Sequence, residues 1–415
     1  MVSSAPMTDR RLIDDLMIGA VEVLPAGALE AKLALAEREG RPLRVKLGVD
    51  PTAPDIHLGH TVVLNKLRQF QDAGHIAVLI IGDYTARIGD PSGRSKTRPK
   101  LDPAVIDANA KTYQDQAFLI LDDDPARLEV RHNGEWLAPL TTEQVFELTS
   151  TTTVARILER DDFAKRWAAH QPISMLEMLY PLAQGYDSVA VQADIEVGGT
   201  DQKFNLFMGR DLQEYFGQLA QAILTMDILP GTDGVERMSK SMGNYIGVTE
   251  DPRDIYGKVM SIPDGTMMTY YRLLTAHHAD ELAQLEADLG SGAANPRDLK
   301  ARLAREIITR LRGATAAEAA EDHFDKVFRR HEAGDDLQDL ALEPADVEDG
   351  TVFLPQVMER WFGQTRSEWR RRIQQGGVSL DGEPLTSLAA PAAELAGRRL
   401  KAGKSAQAQG LIKGP

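Results

Sequence analysis

Two histidines stand three residues apart in the stretch GVDPTAPDIHLGH, residues 48–60. His57 and His60 would share one face at the start of a helix, where free backbone amides and the helix dipole favour an anion. Imidazole N–H groups can donate hydrogen bonds to phosphate, and Gly59 leaves room for a ring against bare backbone. Zinc is a weaker alternative because the chain has no cysteine. Solvated histidines without a ligand are the other alternative, and the pattern favours a nucleotide phosphate.

A second candidate is the segment RMSKS, residues 237–241, which glycines flank at positions 231, 234 and 243. These glycines predict a mobile loop, and Lys240 with its neighbouring hydroxyls can donate to a polyphosphate. A match this short is weak alone, because lysine and serine are common in loops. A Walker-type loop is excluded, since the nearest match, GDPSGRS at residues 89–95, is one residue short and has arginine in place of lysine.

Polar side chains recur at helical spacing within residues 174–190. Tyr180, Gln184 and Asp187 lie at i, i+4 and i+7 and would form one narrow polar stripe on a helix. A stripe that faces solvent is the ordinary interpretation. In a dry pocket, the same stripe would supply the oxygen atoms that an ammonium group and a phenol hydroxyl need.

An α/β core must position these candidates. Residues 45–50 predict a strand, residues 57–73 a helix that ends near Gly74, and residues 76–81 a second, continuously apolar strand. Strand–helix–strand units close into a parallel sheet that binds ligands beyond the carboxyl ends of its strands. The loop of residues 48–60 would lie at that edge.

The rest of the chain divides by composition. Residues 101–190 are mixed and polar and predict an insertion, residues 246–331 are almost wholly helical, and residues 332–352 are acidic and predict a linker. Eight apolar positions are the candidate core of the helical segment: Tyr270, Leu273, Leu282, Leu285, Leu299, Leu303, Ile307 and Leu311.

Charge separates the last segment from the rest. The whole chain has a net charge of −15, whereas residues 353–415 carry ten basic and five acidic side chains. This segment contains Arg370, Arg371 and Arg372 and a hairpin signal at Asp381 and Gly382. A solvated helix face would also hold three arginines, but the charge reversal favours RNA as the partner.

Length and composition restrict the class of protein. A chain of 415 residues predicts two or three domains, and 43% hydrophobic with 26% charged residues is typical of globular proteins. The longest apolar run is of strand length, and the first residues lack the apolar core of a signal peptide. We therefore expect a cytoplasmic protein.

The ordered set of motifs resembles one family. HLGH followed by RMSKS about 180 residues later is similar to the signature pair of class I aminoacyl-tRNA synthetases. The runs GDPSG at residues 89–93, YPLAQGYD at 180–187 and GGTDQ at 198–202 resemble those of bacterial tyrosyl-tRNA synthetases. The resemblance implies an α/β chain with three domains. These are a Rossmann-like parallel-sheet catalytic domain over residues 1–245, a helical anticodon-side domain over 246–331 and a small α+β S4-like RNA-binding domain over 353–415.

The resemblance also implies a reaction and its partners. L-Tyrosine and ATP, with Mg²⁺, would give tyrosyl-adenylate and pyrophosphate, and tRNA(Tyr) would then accept the tyrosyl group. No tightly bound, protein-ligated metal is implied. A homodimer is expected, with the insertion after Leu101 as its contact.

Site residues follow from the same resemblance, position by position. The group that would neutralise charge developing on the phosphates is His57, His60, Arg237 and Lys240. Asp90, Tyr180 and Gln184 would hold the substrate ammonium and Asp187 the phenol hydroxyl, with Thr85 and Gln202 also in the tyrosine site. The residues implied around ATP and the adenylate are Gly48, Asp50, Thr52, His57, Gly59, His60, Gly199, Asp201, Met238, Lys240 and Ser241. Those implied for tRNA are Arg94, Arg98, Arg370, Arg371 and Arg372.

One position departs from the family pattern. Relatives with the best-known pocket have a tyrosine two residues before the glycine that matches Gly48, and this chain has Lys46 there. The sequence therefore does not identify a second hydrogen-bonding partner for the phenol hydroxyl.

The sequence leaves three alternative functions to be considered. They are a tryptophan-specific synthetase, a small-molecule nucleotidyltransferase and a catalytically inactive RNA-binding regulator. Asp187 and GGTDQ argue against the first, the basic C-terminal segment against the second, and the retained carboxylates and Lys240 against the third.

Overall fold

The computed structural model describes residues 10–52, 54–91, 102–328, 338–402 and 409–414. The chain forms two compact units, whose boundary in the sequence lies between Glu321 and Asp322. We call them the first and the second unit. Among the described residues, no helix combines the length and the apolar character that crossing a membrane requires.

A mixed sheet with a parallel core forms the centre of the first unit. Its strands among the described residues are β1 (Ala20–Leu24), β2 (Arg44–Val49), β3 (Ile76–Ile81), β4 (Leu128–His132), β5 (Ile195–Gly199) and β6 (Ala222–Met226). Their order is β1-β6-β5-β2-β3-β4, with β1 antiparallel to β6 and the other neighbours parallel. The continuously apolar β3 is buried almost throughout, as expected for a strand covered on both faces.

Helices connect and cover these strands. They are α1 (Arg10–Met17), α2 (Ala28–Glu39), α3 (Leu58–Asp72), α4 (Thr85–Ile88), α5 (Pro103–Ala117), α6 (Gly134–Leu137), α7 (Thr142–Ser150), α8 (Val154–Leu158), α9 (Asp161–Ala168), α10 (Met175–Val191), α11 (Lys203–Tyr215), α12 (Pro252–Ser261), α13 (Met267–Leu274), α14 (Ala279–Ser291), α15 (Pro296–Arg312) and α16 (Ala314–Phe328). The predicted unit of strand, helix and strand is confirmed as β2, α3 and β3. Gly74 has the predicted left-handed backbone, with φ of +86°.

The insertion predicted over residues 101–190 is wrong in part. β4 lies within it, yet this strand pairs in parallel with β3 at the edge of the central sheet. Its sequence, LEVRH, conceals a strand because only Leu128 is buried and the other four side chains are partly exposed. α10 also lies in this range, and it packs along α11 in the core. Both elements therefore belong to the main body of the first unit.

The helical segment packs onto the sheet-bearing part instead of forming a separate compact unit. α13 contacts α3, and the side-chain amide of Asn65 donates to the carbonyl of Leu273 at 3.1 Å. All eight apolar positions predicted as its core are buried. The boundary predicted at residue 245 thus does not separate two compact units.

The second unit has a core of its own. Its further strands among the described residues are β7 (Gln338–Ala341), β8 (Val347–Glu348), β9 (Thr351–Phe353), β10 (Val378–Leu380), β11 (Glu383–Pro384), β12 (Ala389–Pro391), β13 (Arg399–Ala402) and β14 (Gln409–Lys413). Its helices after α16 are α17 (Leu354–Phe362), α18 (Arg366–Gln374) and α19 (Ala392–Leu395). Sheets of order β11-β10-β13-β14-β7 and β12-β9-β8 enclose Trp369 and Ile373 of α18. Asp381 and Gly382, both with positive φ, make the predicted hairpin turn between β10 and β11.

The prediction of an acidic linker over residues 332–352 is wrong from residue 338 onward. Residues 332–337 lie outside the described residues. β7, β8 and most of β9 occupy this range and pair within the sheets of the second unit. Its carboxylates meet cations instead of repelling one another. Arg360 donates to Asp346 at 2.9 Å, and the Lys413 ammonium lies 3.4 Å from Asp339. Opposite charge therefore stabilises an acidic stretch that would be unstable alone.

A pair of glycines tests how tightly α10 packs on α11. A Cβ on Gly185 would lie 2.9 Å from Leu212 Cδ1 and 3.0 Å from the backbone of Met208, whereas one on Gly257 of α12 would meet nothing within 4 Å. Gly185→Ala should therefore lower the free energy of unfolding by about 1–3 kcal/mol. Gly257→Ala should raise it by up to about 1 kcal/mol through helix propensity. Urea unfolding followed by circular dichroism measures both, and equal losses would contradict this packing.

Candidate active site

A cavity of about 270 Å³ lies at the carboxyl ends of β2, β3 and β5. The residues predicted for tyrosine that line it are Thr85, Asp90, Tyr180, Gln184, Asp187 and Gln202. Those predicted for the nucleotide that line it are Gly48, Asp50, Thr52, His60 and Gly199. The sheet thus brings residues from distant parts of the sequence to one edge, as parallel α/β topology requires.

The polar stripe of α10 faces this cavity and not solvent. Tyr180 and Asp187 are only 5% and 2% exposed. Ser174 starts the helix with a capping box that it shares with Glu177, which fixes where the stripe begins. The interpretation of a solvated stripe is therefore excluded.

One end of the cavity is rich in oriented oxygen atoms. The Tyr180 hydroxyl donates to Asp50 Oδ2 at 2.8 Å, and the Thr85 hydroxyl donates to Asp50 Oδ1 at 2.7 Å. Burial and the nearby Asp50 carboxylate raise the pKa of Tyr180 well above its usual value. The phenol of Tyr180 thus stays neutral, and its oxygen can still accept a hydrogen bond from an ammonium group.

Two residues that sequence reasoning missed hold this end in place. Arg160 donates to Asp90 at 3.2 Å and to the side chain of Asn205 at 3.0 Å. Asn205 in turn donates to Gln184 at 2.8 Å and to Gln202 at 2.9 Å. Neither residue belongs to a motif, so the sequence offers no signal for them.

Asp187 lies in the cavity wall on the same helix. The Trp136 indole donates to its Oδ1 at 2.8 Å, and the Asn133 amide donates to its Oδ2 at 3.3 Å. Burial raises the pKa of Asp187 to about 7, although the Lys46 ammonium and these two donors favour the ionised form. Asn133 and Trp136 were missed because they follow β4, the strand that the sequence conceals.

The departure at position 46 produces a buried ion pair. Lys46 is fully buried and lies 2.7 Å from Glu196. Its ammonium also donates to Ser188 Oγ at 2.8 Å and to the Gln184 carbonyl at 3.2 Å. All three N–H groups of Lys46 are thus engaged by the protein, whereas Glu196 lines the cavity.

The two motif histidines cap α3 with their own rings. His57 Nδ1 accepts from the Gly59 amide at 3.2 Å, and His60 Nδ1 accepts from the His57 amide at 3.2 Å. The Leu58 and His60 amides also have backbone partners, the carbonyls of Ile246 and His57. The expectation of free amides for phosphate is therefore wrong, because the amides of residues 57–60 are already bonded.

The same contacts set the charge and tautomer of the rings. Desolvation and the neighbouring His60 and Lys240 lower the pKa of His57 to about 3. His60 is exposed, but desolvation by the surrounding protein and the Lys240 charge lower its pKa to about 4. Both rings are neutral near pH 7 and, with Nδ1 as acceptor, carry their proton on Nε2. They can donate hydrogen bonds to phosphate, but they do not neutralise its charge in the resting protein.

The HLGH segment bonds to residues 246–248, which closely follow RMSKS, and it lies close to Met238 of RMSKS itself. His57 and Gly247 form an isolated β-bridge, and Val248 donates to the carbonyl of Ile56 at 3.2 Å. A Cβ on Gly59 would touch the His57 ring at 3.0 Å and Met238 Cβ at 3.5 Å. The His57 ring, which folds back over the backbone, therefore restricts position 59 to glycine, whereas Met238 would be in ordinary van der Waals contact with a Cβ there.

Lys240 is the cation that the second segment presents. Its ammonium lies 2.8 Å from Asp55 Oδ2, and it also faces the Tyr245 ring at 6.0 Å. The Ser239 and Ser241 hydroxyls lie 2.9 Å apart, and the Asn244 side chain accepts from the Ser239 amide at 2.9 Å. Lys240 thus has one exposed ionic partner that a phosphate could replace.

Residues predicted around the nucleotide surround the remaining space. A Cβ on Gly48 would meet nothing within 4 Å, so this exposed backbone faces open space. A Cβ on Gly199 would lie 2.7 Å from Asp201 Oδ1, so glycine is needed for the carboxylate to occupy its position. Partial burial and Asp90 raise the pKa of Asp201, which the Arg237 charge opposes.

Comparison with known proteins decides the family. Residues 38–329 match the family model of class I tRNA synthetases for tryptophan and tyrosine. Over 387 residues the chain is 52% identical to the tyrosine–tRNA ligase of Moorella thermoacetica, covering 93% of this chain and 92% of that relative. It is 48% identical to the tyrosine–tRNA ligase of Acidithiobacillus ferrooxidans, covering 94% of this chain and 95% of that relative. The chain belongs to the class I tyrosyl-tRNA synthetases.

Solved structures agree on the fold of this synthetase. The C-terminally truncated mitochondrial tyrosyl-tRNA synthetase of Aspergillus nidulans matches with a TM-score of 0.64 at 20% identity. That match covers 77% of this chain and 94% of the other. The predicted resemblance and α/β fold class are thereby confirmed.

The residues predicted for tRNA fall in different places. Arg94 and Arg98 lie outside the described residues. Arg370 and Arg371 are exposed on α18 in the second unit of this synthetase, and Arg370 packs over the Phe353 ring at 5.2 Å. Arg372 is partly buried and donates to Glu368 at 3.2 Å. Arg370 and Arg371 are therefore the more accessible of the three.

Proposed function

We propose that this synthetase activates L-tyrosine with ATP and then transfers the tyrosyl group to tRNA(Tyr). One observation carries the proposal: the buried polar stripe of α10 lines the same cavity as the loop that ends in His60. Family membership supports the reaction, and the cavity supports the assignment of its residues. The cytoplasm, where tRNA is charged, would be its place of action.

The first step places a carboxylate of tyrosine in line with the α-phosphorus of ATP. A bond from that oxygen to phosphorus forms while the bond to the departing pyrophosphate breaks. Such chemistry depends on placement and on stabilisation of charge more than on a protein nucleophile. Lys240 and Arg237 would supply positive charge, and the Nε2–H groups of His57 and His60 would supply directed hydrogen bonds.

Tyrosine would lie along α10. Its ammonium group would meet Asp90, Tyr180 and Gln184, which Arg160 and Asn205 hold in place. Its phenol hydroxyl would donate to Asp187. Gln202 donates to Asp90 at 2.9 Å and so helps to orient that carboxylate.

ATP would occupy the side of the cavity next to α3. Gly48 would allow close approach of the nucleotide, Asp50 and Thr52 would flank it, and Asp201 would accept from the ribose. Met238 Cβ lies 3.5 Å from the position that a Cβ on Gly59 would occupy, and Ser241 would add a hydroxyl near the phosphates. Lys240 would exchange Asp55 for a phosphate oxygen when ATP binds.

Mg²⁺ would arrive with ATP and neutralise part of the triphosphate charge. Within the described residues, no group of three or more histidine, cysteine, aspartate or glutamate side chains could hold a metal. The phosphates of ATP would provide its main ligands.

The second step joins tyrosine to tRNA. A terminal ribose hydroxyl of tRNA(Tyr) attacks the tyrosyl carbonyl, and AMP leaves. The second unit would bind RNA through the basic face of α18.

Arg370 and Arg371 make that RNA contact testable. The variant Arg370→Ala/Arg371→Ala should weaken tRNA binding about tenfold and lower the slope of log K against log salt by about 2. Adenylate formation should not change. Filter binding across a salt series measures both quantities. Arg366→Ala is the control, because Arg366 is paired with Glu359 at 2.6 Å; an unchanged salt slope in the double variant would contradict the assignment.

A homodimer would cover exposed apolar side chains on the segment predicted as its contact. Phe146, Val154, Trp167 and Met175 are each more than half exposed on α7 to α10. Burial of these side chains against a second copy would favour association. Sedimentation should give a dimer for the wild type and a monomer for Phe146→Glu/Trp167→Glu; a monomeric wild type would contradict the proposal.

Exchange of labelled pyrophosphate into ATP tests the proposed activity directly. Exchange should require tyrosine and should not occur with tryptophan. Exchange with tryptophan alone would favour the tryptophan-specific alternative. Absence of exchange with either amino acid would favour an inactive RNA-binding protein.

A further inference from the structure

Lys46 and Glu196 are direct neighbours on adjacent parallel strands. β2 and β5 pair with Lys46 opposite Glu196 in register, and the two charged atoms lie 2.7 Å apart. Their side chains are 0% and 1% exposed. A buried ion pair is expensive to desolvate, and a pair of well-packed apolar residues is often as stable. Stability alone therefore gives little reason for this pair.

Neutral groups around the ion pair form hydrogen bonds with the remaining N–H groups of Lys46 and the second oxygen of Glu196. Lys46 uses its two remaining N–H groups on Ser188 Oγ and the Gln184 carbonyl. The second oxygen of Glu196 accepts from Ser188 Oγ at 3.0 Å and from the Gln221 side chain. Because every donor of the lysine is used, Lys46 cannot itself donate to a ligand without breaking this network.

The hydrogen bonds of Lys46 also hold the turn of α10 that faces the cavity. Lys46 binds the carbonyl of Gln184 and the hydroxyl of Ser188, which are the two ends of one helical turn. Asp187 lies inside that turn, and both Gln184 and Asp187 line the cavity. A fully buried side chain from β2 thus fixes the position of two groups proposed to bind tyrosine.

The pair also acts on the charge of Asp187. The titratable groups that face it are Lys46 on β2, Glu196 on β5 and Tyr180 on its own helix, and the neutral donors are Asn133 and Trp136. Burial raises the pKa of Asp187 to about 7. Of the influences that lower this pKa, the positive charge of Lys46 is the largest. The negative charge of Glu196 raises the pKa by a smaller amount. Without Lys46, the neutral acid would be favoured near pH 7.

We propose that the buried Lys46–Glu196 pair is the positioning element of the tyrosine pocket: it anchors the turn of α10 that carries Gln184 and Asp187, and it sets the electrostatic surroundings of Asp187 as the acceptor for the phenol hydroxyl. The inference rests on the proposed function. Lys46 acts through Asp187 and Gln184 without touching the substrate. It thus takes the place of a direct hydrogen-bonding partner at that position.

The pH dependence of tyrosine binding tests the inference, measured by equilibrium dialysis with labelled tyrosine from pH 5.5 to 9. In the wild type, Kd should rise about tenfold per pH unit below the pKa of Asp187, and Asp187→Asn should remove that dependence. In Lys46→Gln/Glu196→Gln, loss of the dominant positive charge should move the inflection upward by about one pH unit. Kd at pH 7 should then rise about fivefold, because the ionised fraction of Asp187 falls from about one half to about one tenth.

Two further variants separate charge from packing. Ser188→Ala removes a neutral hydrogen bond from the same network and should leave the inflection in place, even if affinity falls equally at all pH values. Lys46→Met/Glu196→Met replaces the pair by apolar side chains of similar size, so that a folded neutral variant exists if the glutamine pair does not fold. It should show the same upward shift.

An unchanged inflection in a folded neutral variant would overturn the inference. A wild type that does not bind tyrosine at any pH would instead overturn the proposed function, and the inference with it. Thermal unfolding by circular dichroism establishes which variants are folded.

Discussion

Replacing Lys240 by alanine should slow formation of tyrosyl-adenylate by about a hundredfold or more and leave tyrosine affinity nearly unchanged. The ammonium of Lys240 is held by Asp55 at the mouth of the cavity, away from the groups of α10 proposed to bind tyrosine. Its charge would be needed as the pyrophosphate departs. His57→Ala should have a similar effect, because it removes an Nε2–H donor from the same place.

Stopped-flow measurement of adenylate formation with saturating tyrosine gives the rate, and equilibrium dialysis gives the affinity. Lys111→Ala is a matched control, since Lys111 is exposed on α5 and paired with Asp115. Wild-type rates in Lys240→Ala or His57→Ala would contradict the assignment.

His57 allows a finer division of roles. Asparagine at this position can place an oxygen where Nδ1 accepts from Gly59, so His57→Asn should keep the helix cap and lose the donor to phosphate. Glutamine has the opposite character, because its amide reaches the position of Nε2. If His57→Asn reacts at the wild-type rate while His57→Gln does not, the ring acts through the cap and not through phosphate.

Asp187→Asn should reduce the preference for tyrosine over phenylalanine by about 10- to 100-fold. When phenylalanine binds, Asp187, which is 2% exposed, would lose the hydrogen bond from the phenol and keep those from Trp136 and Asn133. The loss of a hydrogen bond to a charged group costs about 1.5–3 kcal/mol. Asparagine keeps the size of the side chain and removes the charge, so phenylalanine would be tolerated better. The ratio of kcat/KM for the two amino acids in pyrophosphate exchange measures the preference.

Asp107→Asn on the exposed face of α5 is the control for this experiment. It should leave the ratio at the wild-type value. Unchanged selectivity in Asp187→Asn would mean that another cavity residue, with Glu196 as the next candidate, accepts from the phenol hydroxyl.

The sequence predicts those parts of the site in which local pattern and final position agree. The continuous apolar run of residues 76–81 and the helical spacing after His57 each have one good interpretation, and β2, α3 and β3 confirm both. The polar stripe of α10 can also be predicted from the sequence, because a spacing of i, i+4 and i+7 puts three side chains on one face of any helix. Its direction toward a cavity required the rest of the sheet.

The remaining parts depend on contacts that no local pattern contains. β4 is a partly exposed edge strand, so its sequence lacks both alternation and a long apolar run. The acidic residues 338–352 fold because cations such as Arg360 lie nearby in space. The histidine pair predicts an anion site, but the structure shows that the rings, and not the amides, are available to it.

The distance along the chain between Lys46 and Glu196 has a consequence for synthesis of the protein. The two residues are 150 positions apart, and Ser188 and Gln221 complete their surroundings. A nascent or truncated polypeptide that stops before β5 would contain Lys46 without its counterion Glu196, and its tyrosine pocket would be incomplete. Amino acid recognition can therefore begin only after about half of the polypeptide has been made, and N-terminal fragments of this synthetase that end before β5 should not retain it.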